Sequence, residues 1–371
     1  MNLAYLSMHP APYESAFLKN IACSDKVKTD ILFLFPNDLF HKYWNLPATK
    51  YRTSTLSEWS APWWRLLFTL LRKVVFSRKY DLSVWPGYAN KATIAAVVIC
   101  ALTGRKYGIK ADSIREGKLS SIAFWVKKFI IQRASVIFVP GVAGQKFFAT
   151  HYDVPSRRIV LGAYSLDGQD IERQINVFKK ERSKIRERLS ISDGQIVFLM
   201  VANMHKNRCY PITSAGFVKF AEGCPNALFV MVGNGCDYDE MCKMGKRHSC
   251  LRVLPGCSFN EMLELYAVAD VYVHGGEEPA STALVIGAIA HLPLISTDSV
   301  GCSADVLIDN ETGVKVGDYL SVPEWHGAFC RIVNKRDEWQ QMGDRARALS
   351  RHLDADVVAK RFLQTISSIG D

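Results

Sequence analysis

The feature that most constrains this chain is an alternation that starts twice. Short apolar runs of strand length are separated by segments of helix length. In the first half the runs are LAYLS, DILFLF, DLSVW, KYGIK and SVIFVP, and a further run, RIVLG, ends at Gly162. Helices are expected between them, notably over residues 90–103, 121–133 and 142–152. Strands apolar on both faces need cover on both, which a parallel sheet flanked by crossover helices supplies. Residues 165–193, including KKERSKIRERL, are polar and highly charged and read as a linker plus an exposed helix. The pattern then restarts with QIVFLMVAN, ALFVMVGNG, CLRVLPG, DVYVHGG and LPLISTD. The last fifty or so residues read as helical, and DADVVAKRFLQTISSI has the spacing of an amphipathic terminal helix. The expected fold is α/β, with two Rossmann-like, doubly wound domains facing across a cleft. Residues 1–164 form the first, residues 165–352 the second, and residues 353–371 a C-terminal helix packing back on the first. Ligands of such sheets lie beyond the carboxyl ends of the strands, so the loops there are the places to search.

Composition narrows the partners. A chain of 371 residues, 49% hydrophobic, can bury two cores. The longest apolar run, residues 92–102, is shorter than a membrane span. MNLAYLSMHP lacks the basic and apolar regions of a secretory signal, so a cytoplasmic location is expected. The ten cysteines show no CxxC pair and no zinc spacing, and read as reduced and structural. Lys and Arg number 46 against 36 Asp and Glu, a net charge of +10. Such a balance suits nucleic acid, anionic lipid or a phosphorylated substrate. The absence of a compact basic block or an aromatic RNA-binding signature sets nucleic acid aside.

The basic residues of the first half lie beside aromatic ones, most clearly in EWSAPWWRLLFTLLRKVVFSRKYD. Trp59, Trp63, Trp64 and Phe68 accompany Arg65, Arg72, Lys73, Arg78 and Lys79, a combination found in helices that lie at an anionic membrane surface. Leu66, Leu67, Leu70 and Leu71 equally suit a core helix, and both roles hold together if the leucines face inward. Trp125, Lys127, Lys128 and Arg133 extend the same character.

Two motifs in the second half carry chemistry. FVMVGNG ends a strand in Gly233-Asn234-Gly235, which either lets backbone approach a ligand or simply makes a tight strand–helix turn. EEPAST opens a helix with Ser281 and Thr282 in its first turn. Their amides and hydroxyls can hold a phosphate at the positive end of the helix dipole, or Ser281 can act as an N-cap alone. The DAD string at residues 354–356 starts a helix and reads as a cap, so no metal site is expected.

The order of these motifs resembles the C-terminal half of retaining GT-B glycosyltransferases, specifically glycosyltransferase family 4. HLPLISTDSVGCSADVLIDNETGVKV, with Gly301, Asp305 and Gly313, continues the likeness. HPAPYESAFL, DLSVWPGYANKATIAAVVICALTGRKYGIKADS and SVIFVPGVAGQKFFATHYDVPSRRIVLGAYSLD resemble the first half more loosely. The resemblance implies transfer of a sugar from a nucleotide-diphosphate sugar, with retention, to a lipid-linked or cell-surface glycan at the inner face of a membrane. It implies neither metal nor cofactor.

Residue by residue, Glu278 followed by Pro279 matches the glutamate that contacts the transferred sugar. The second family glutamate, which binds ribose, falls on Ile286, and the glycine that closes the helix on His291. Of the two basic residues that hold the donor diphosphate, Asn203 stands at the first position and Arg208 at the second, with Lys206 as an alternative. Asp112 matches the catalytic position of the first domain, or caps its loop. Tyr13 and Glu14 stand where the family often has glycines. Two rival functions stay open: a nucleotide-sugar-binding scaffold that has lost catalysis, and a GT-B epimerase or hydrolase.

Overall fold

The structure, a computed structural model, describes residues 1–36, 53–87, 90–117 and 120–369. Tyr88 and Ala89, inside the middle stretch quoted above, lie outside the described residues, as do Gly370 and Asp371 at the end of the terminal segment. The chain separates into two compact units, residues 1–167 with 352–371, and residues 168–351.

In the first unit the described strands are β1 (Asn2–Ser7), β2 (Lys28–Phe33), β3 (Thr53–Thr55), β4 (Leu82–Pro86), β5 (Tyr107–Lys110), β6 (Val136–Val139) and β7 (Ile159–Leu161). They form a sheet of order β3-β2-β1-β4-β5-β6-β7 in which every pair is parallel. The central strand explains why: Leu3, Ala4, Tyr5 and Leu6 of β1 are all fully buried, so both faces are covered. The short strand β3, polar in sequence, had no apolar run to announce it.

The helix Ala355–Ser367 belongs to this unit. Its Phe362 ring lies 5.6 Å from Phe17 and 5.4 Å from Phe138. Asp354 occupies the N-cap position of that helix without a side-chain capping bond, and the backbone N–H of Ala355 donates to the Leu166 carbonyl at 2.8 Å.

The second unit contains β8 (Ile196–Val201), β9 (Ala227–Val232), β10 (Leu251–Leu254), β11 (Val271–Val273), β12 (Leu294–Thr297) and β13 (Gly313–Val316). Their order is β10-β9-β8-β11-β12-β13, again parallel throughout. Phe198, Phe217, Phe220, Phe229 and Phe329 form its aromatic core.

The charged stretch after residue 165 departs from expectation. It forms two helices, Gly168–Lys180 and Arg182–Arg188, that bury Ile171, Ile175 and Ile185. Arg182 and Arg186 both reach Asp270, at 2.8 and 2.9 Å, and the same carboxylate accepts the Val197 N–H. Few apolar residues, correctly spaced, were enough to dock a helix whose charges are used internally.

Removing the Phe362 ring leaves a cavity among Tyr5, Phe17 and Phe138. Phe362→Ala is expected to destabilise the first unit by about 3–5 kcal/mol, read from urea unfolding followed by hydrogen exchange, with the second unit unchanged. A loss under about 1 kcal/mol would show that the terminal helix adds little to this core.

Candidate functional site

Each sheet reverses its strand order once, between β1 and β4 in the first unit and between β8 and β11 in the second. Crossovers leave in opposite directions there, and sheets of this kind hold ligands between the parting loops at the carboxyl edge. The chemistry-bearing residues of both units gather at these points.

In the second unit Arg208 ends the short turn Lys206–Arg208 after β8, and Glu278 follows β11. The guanidinium Nη1 lies 3.0 Å from Glu278 Oε2 and donates to the Glu277 carbonyl at 2.8 Å. Among the described residues Arg208 Nε is buried with no acceptor, so the group is under-satisfied in this state. The same Glu278 oxygen accepts from Nε2 of the fully buried His274 at 2.8 Å. Because a carboxylate only accepts, Nε2 carries the proton, and Nδ1 faces the Ser281 hydroxyl at 3.4 Å and the Tyr272 hydroxyl at 3.2 Å. Ser281 Oγ in turn accepts the Leu284 N–H at 3.2 Å. A continuous chain of hydrogen bonds therefore runs from the helix start through the imidazole to Glu278. Burial pushes the Tyr272 phenol well up, so it serves as a neutral hydroxyl.

The backbone holds this arrangement from three sides. Glu277 N–H donates to the Asn207 carbonyl, Glu278 N–H to the Ser299 carbonyl, and Gly301 N–H to the Glu278 carbonyl. Gly233 and Gly235, after β9, take φ values of 156° and 152°, and a Cβ on either would fall onto the carbonyl of Ala202 or Met204. The Gly-Asn-Gly turn thus lies directly against the loop that carries Lys206 and Arg208.

The remaining predicted residues are placed as follows. Ser281 is buried at the N-cap of the helix Thr282–Ile289, and Thr282 is its half-buried first residue. Pro279, Asn203 and Lys206 are exposed. Ile286 is buried at 3% exposure and presents an apolar wall. Gly287 lets the helix close on β11, since a Cβ there would meet the Tyr272 ring at 2.7 Å. His291 takes φ 59°, its ring between Asp344 at 2.6 Å and Glu172 at 3.0 Å.

In the first unit Asp112 is exposed just beyond β5 and accepts from the Tyr164 hydroxyl at 2.6 Å. It lines a cavity of about 380 Å³ with Ser7, His9, Tyr13, Glu14 and Lys110. Glu14 and Lys110 form an ion pair, both buried, and the Ser7 hydroxyl donates to Glu14 at 2.7 Å. The Lys110 ammonium sits 4.3 Å from the Tyr164 ring centroid. Burial lowers Lys110 to about 8, against the pull of Asp112, so the amine keeps its proton at neutral pH.

Sequence reasoning missed Lys110, Tyr164 and His274. Lys110 and His274 were legible as signals: each is a polar residue ending an otherwise apolar run, KYGIK and VYVHGG.

The aromatic and basic residues lie on the helix Trp63–Leu70 and a π turn, Leu71–Val75. Leu66, Leu70, Val74 and Val75 face inward, whereas Trp63, Trp64, Arg65, Phe68, Arg72 and Lys73 are exposed. Among the described residues no helix is long and apolar enough to cross a membrane.

The family model described as Glycosyl transferases group 1 matches residues 181–349. No curated protein matches the chain. Among solved structures it is similar to Anabaena Alr3699/HepE in complex with UDP-glucose, with a TM-score of 0.74 and 16% identity over 99% of this chain and 100% of that one. A glycosyltransferase from Rickettsia africae gives a TM-score of 0.78 at 12% identity, over 99% and 98% of the two chains. WaaG, a glycosyltransferase involved in lipopolysaccharide biosynthesis, gives 0.65 at 15%, over 98% and 99%. The fold is that of the GT-B glycosyltransferases, two Rossmann-like α/β domains.

His274→Ala removes a buried donor from Glu278 and is expected to destabilise the second unit by about 1–3 kcal/mol. His274→Asn, which keeps an N–H donor, recovers part of the loss. Denaturant titration of the three proteins checks this; equal stabilities would mean that water replaces the imidazole at no cost.

Proposed function

We propose that this protein is a glycosyltransferase that moves a sugar from a nucleotide-diphosphate sugar to a lipid-linked or cell-surface glycan acceptor, with retention. The observation that carries the reading is the Glu278 carboxylate held between Arg208 and His274 at the reversal point of the second sheet. It lies within the part of the chain that matches a glycosyltransferase family model. The HepE complex with UDP-glucose supports a uridine diphosphate sugar as the first donor to try.

The parts take the following roles. Arg208 and Lys206 offset the charge of the donor diphosphate, a task for which a guanidinium is suited by its paired N–H groups. Asn203, Pro279, Ser281 and Thr282 line the same loops, and the Gly233–Gly235 turn brings backbone close. No metal is invoked, because these cations and the helix start at Thr282 stabilise the departing diphosphate. Glu278 orients hydroxyls of the transferred sugar, and Asp112 is the first unit's catalytic carboxylate. The bond from the anomeric carbon to the diphosphate breaks as the acceptor oxygen bonds to that carbon on the same face. The acceptor proton passes to the leaving phosphate.

The membrane partner is part of the proposal. Trp63, Trp64 and Phe68 stand exposed beside Arg65, Arg72 and Lys73, which supports a peripheral position on an anionic cytoplasmic surface. A second reading, a protein that binds the donor without transfer, is favoured by the apolar Ile286 where a ribose contact would be needed.

A panel of UDP-, GDP-, ADP- and dTDP-sugars, scored first for binding and then for nucleotide release with lipid extracts, tests the two together. At least one donor is expected to bind and turn over. Glu278→Ala is expected to lower turnover about 100-fold while the protein stays folded, and Arg208→Ala to weaken donor binding by roughly 10–100-fold. Binding without release of nucleotide by the unaltered protein would favour the second reading, and no binding across the panel would refute both.

A further inference from the structure

The opposite edge of the first sheet carries a feature that the transfer reaction does not use. Before the starts of β1, β4 and β5, an open depression of about 700 Å³ is lined by Lys26, Arg78, Arg105 and Lys106, with Asp81 as the one carboxylate among the described residues of its lining. Arg105 donates through Nε to the Val75 carbonyl at 2.8 Å and through Nη2 to the Ser77 carbonyl, and Lys106 Nζ donates to the Ile369 carbonyl at 2.7 Å. Carbonyls orient these cations without cancelling their charge. Lys26 and Arg78 are exposed, and among the described residues none of the four is paired with a carboxylate. A concave surface of one sign concentrates counter-ions, and guanidinium and ammonium groups together suit phosphate oxygens.

The rim says what kind of phosphate fits. Phe76 and Leu102, two residues from Arg78 and Gly104 of the lining, are 61% and 70% exposed. Arg105 grips the carbonyl that ends the π turn, so the aromatic and basic helix runs down to this depression. A soluble phosphate needs no apolar rim; a phospholipid presents its headgroup and its acyl boundary together. The six residues of β1 put the depression roughly 20 Å from the Asp112 cavity at the other end of the strand, so it is a separate site.

We propose that this depression is a phosphate site occupied by the headgroup of an anionic phospholipid, anchoring the first unit at the membrane. The proposal rests on the membrane-surface reading given above and names the lipid contact within it.

The test uses the full chain with vesicles of phosphatidylcholine, alone or with about one third phosphatidylglycerol, and with glycerol phosphate as the free headgroup. Lys26→Gln with Arg78→Gln removes two exposed charges. Lys243→Gln with Lys246→Gln, two exposed residues of the second unit, makes the same change in net charge. The unaltered protein is expected to sediment with the anionic vesicles only. The first variant should bind them about 25-fold more weakly, and the control within about twofold of the unaltered protein. Glycerol phosphate should bind the unaltered protein weakly and the first variant not at all. Equal losses in both variants, or none in the first, would overturn the headgroup site and leave the membrane reading standing. No vesicle binding by the unaltered protein would overturn both, and glycerol phosphate binding in that case would assign the depression to a soluble phosphate. None of these outcomes bears on donor turnover, which is measured separately.

Discussion

Every strand pair described in this molecule is parallel, and the rest of the structure follows from that. Parallel strands cannot be joined by tight hairpins, so each connection must cross a face of the sheet, usually as a helix. Strands covered on both faces are largely apolar, with few buried polar residues such as Asp30 and Ser83, so most of the polar chemistry falls at their ends. All carboxyl ends then share one edge. Where the strand order reverses, neighbouring loops diverge and the polar residues they carry surround a crevice. Arg208, His274 and Glu278 are brought together in this way from two loops about seventy residues apart, and Ser7, Glu14, Lys110 and Asp112 likewise in the first unit.

Collecting charges at a half-buried edge has a cost that the local chemistry must meet. A carboxylate removed from water needs partners for its lone pairs. Glu278 has a guanidinium and an imidazole on one oxygen, and the imidazole is oriented by a helix-capping serine. Glu14 has an ammonium and a hydroxyl. Such arrangements fix the position of a charged group whether or not a ligand is present, the preorganisation on which the proposed electrostatic role would depend. The burial of Lys110 that lowers its proton affinity also keeps its charge close to the Tyr164 ring and the Asp112 carboxylate.

Much of this was legible in the sequence, for identifiable reasons. The long apolar strands and the helices between them announced the α/β architecture, because burial on both faces leaves an unmistakable composition. EEPAST and the Gly-Asn-Gly turn were legible as a helix start capped by Ser281 and as a close backbone approach, since capping and backbone approach demand particular residues. Two kinds of feature were hidden. The helices Gly168–Lys180 and Arg182–Arg188 looked like exposed linker, because their docking depends on Ile171, Ile175, Ile185 and a carboxylate, Asp270, some ninety residues away. Tyr164, the partner of Asp112, was hidden for the same reason, since the two are 52 residues apart; His274, only four residues before Glu278, was there to be read as the polar end of an apolar run. The basic depression was invisible for the same cause, as Lys26, Arg78 and Lys106 are scattered along the chain.

The central claim is that the reversal point of the second sheet receives a nucleoside diphosphate. Hydrogen exchange of the full chain with and without UDP tests it most directly, because it locates the ligand without requiring the acceptor. Slowed exchange is predicted over residues 203–209, 233–236 and 274–284, around Arg208, the glycine turn and Glu278. Protection confined to other segments, or none at saturating UDP, would contradict the account.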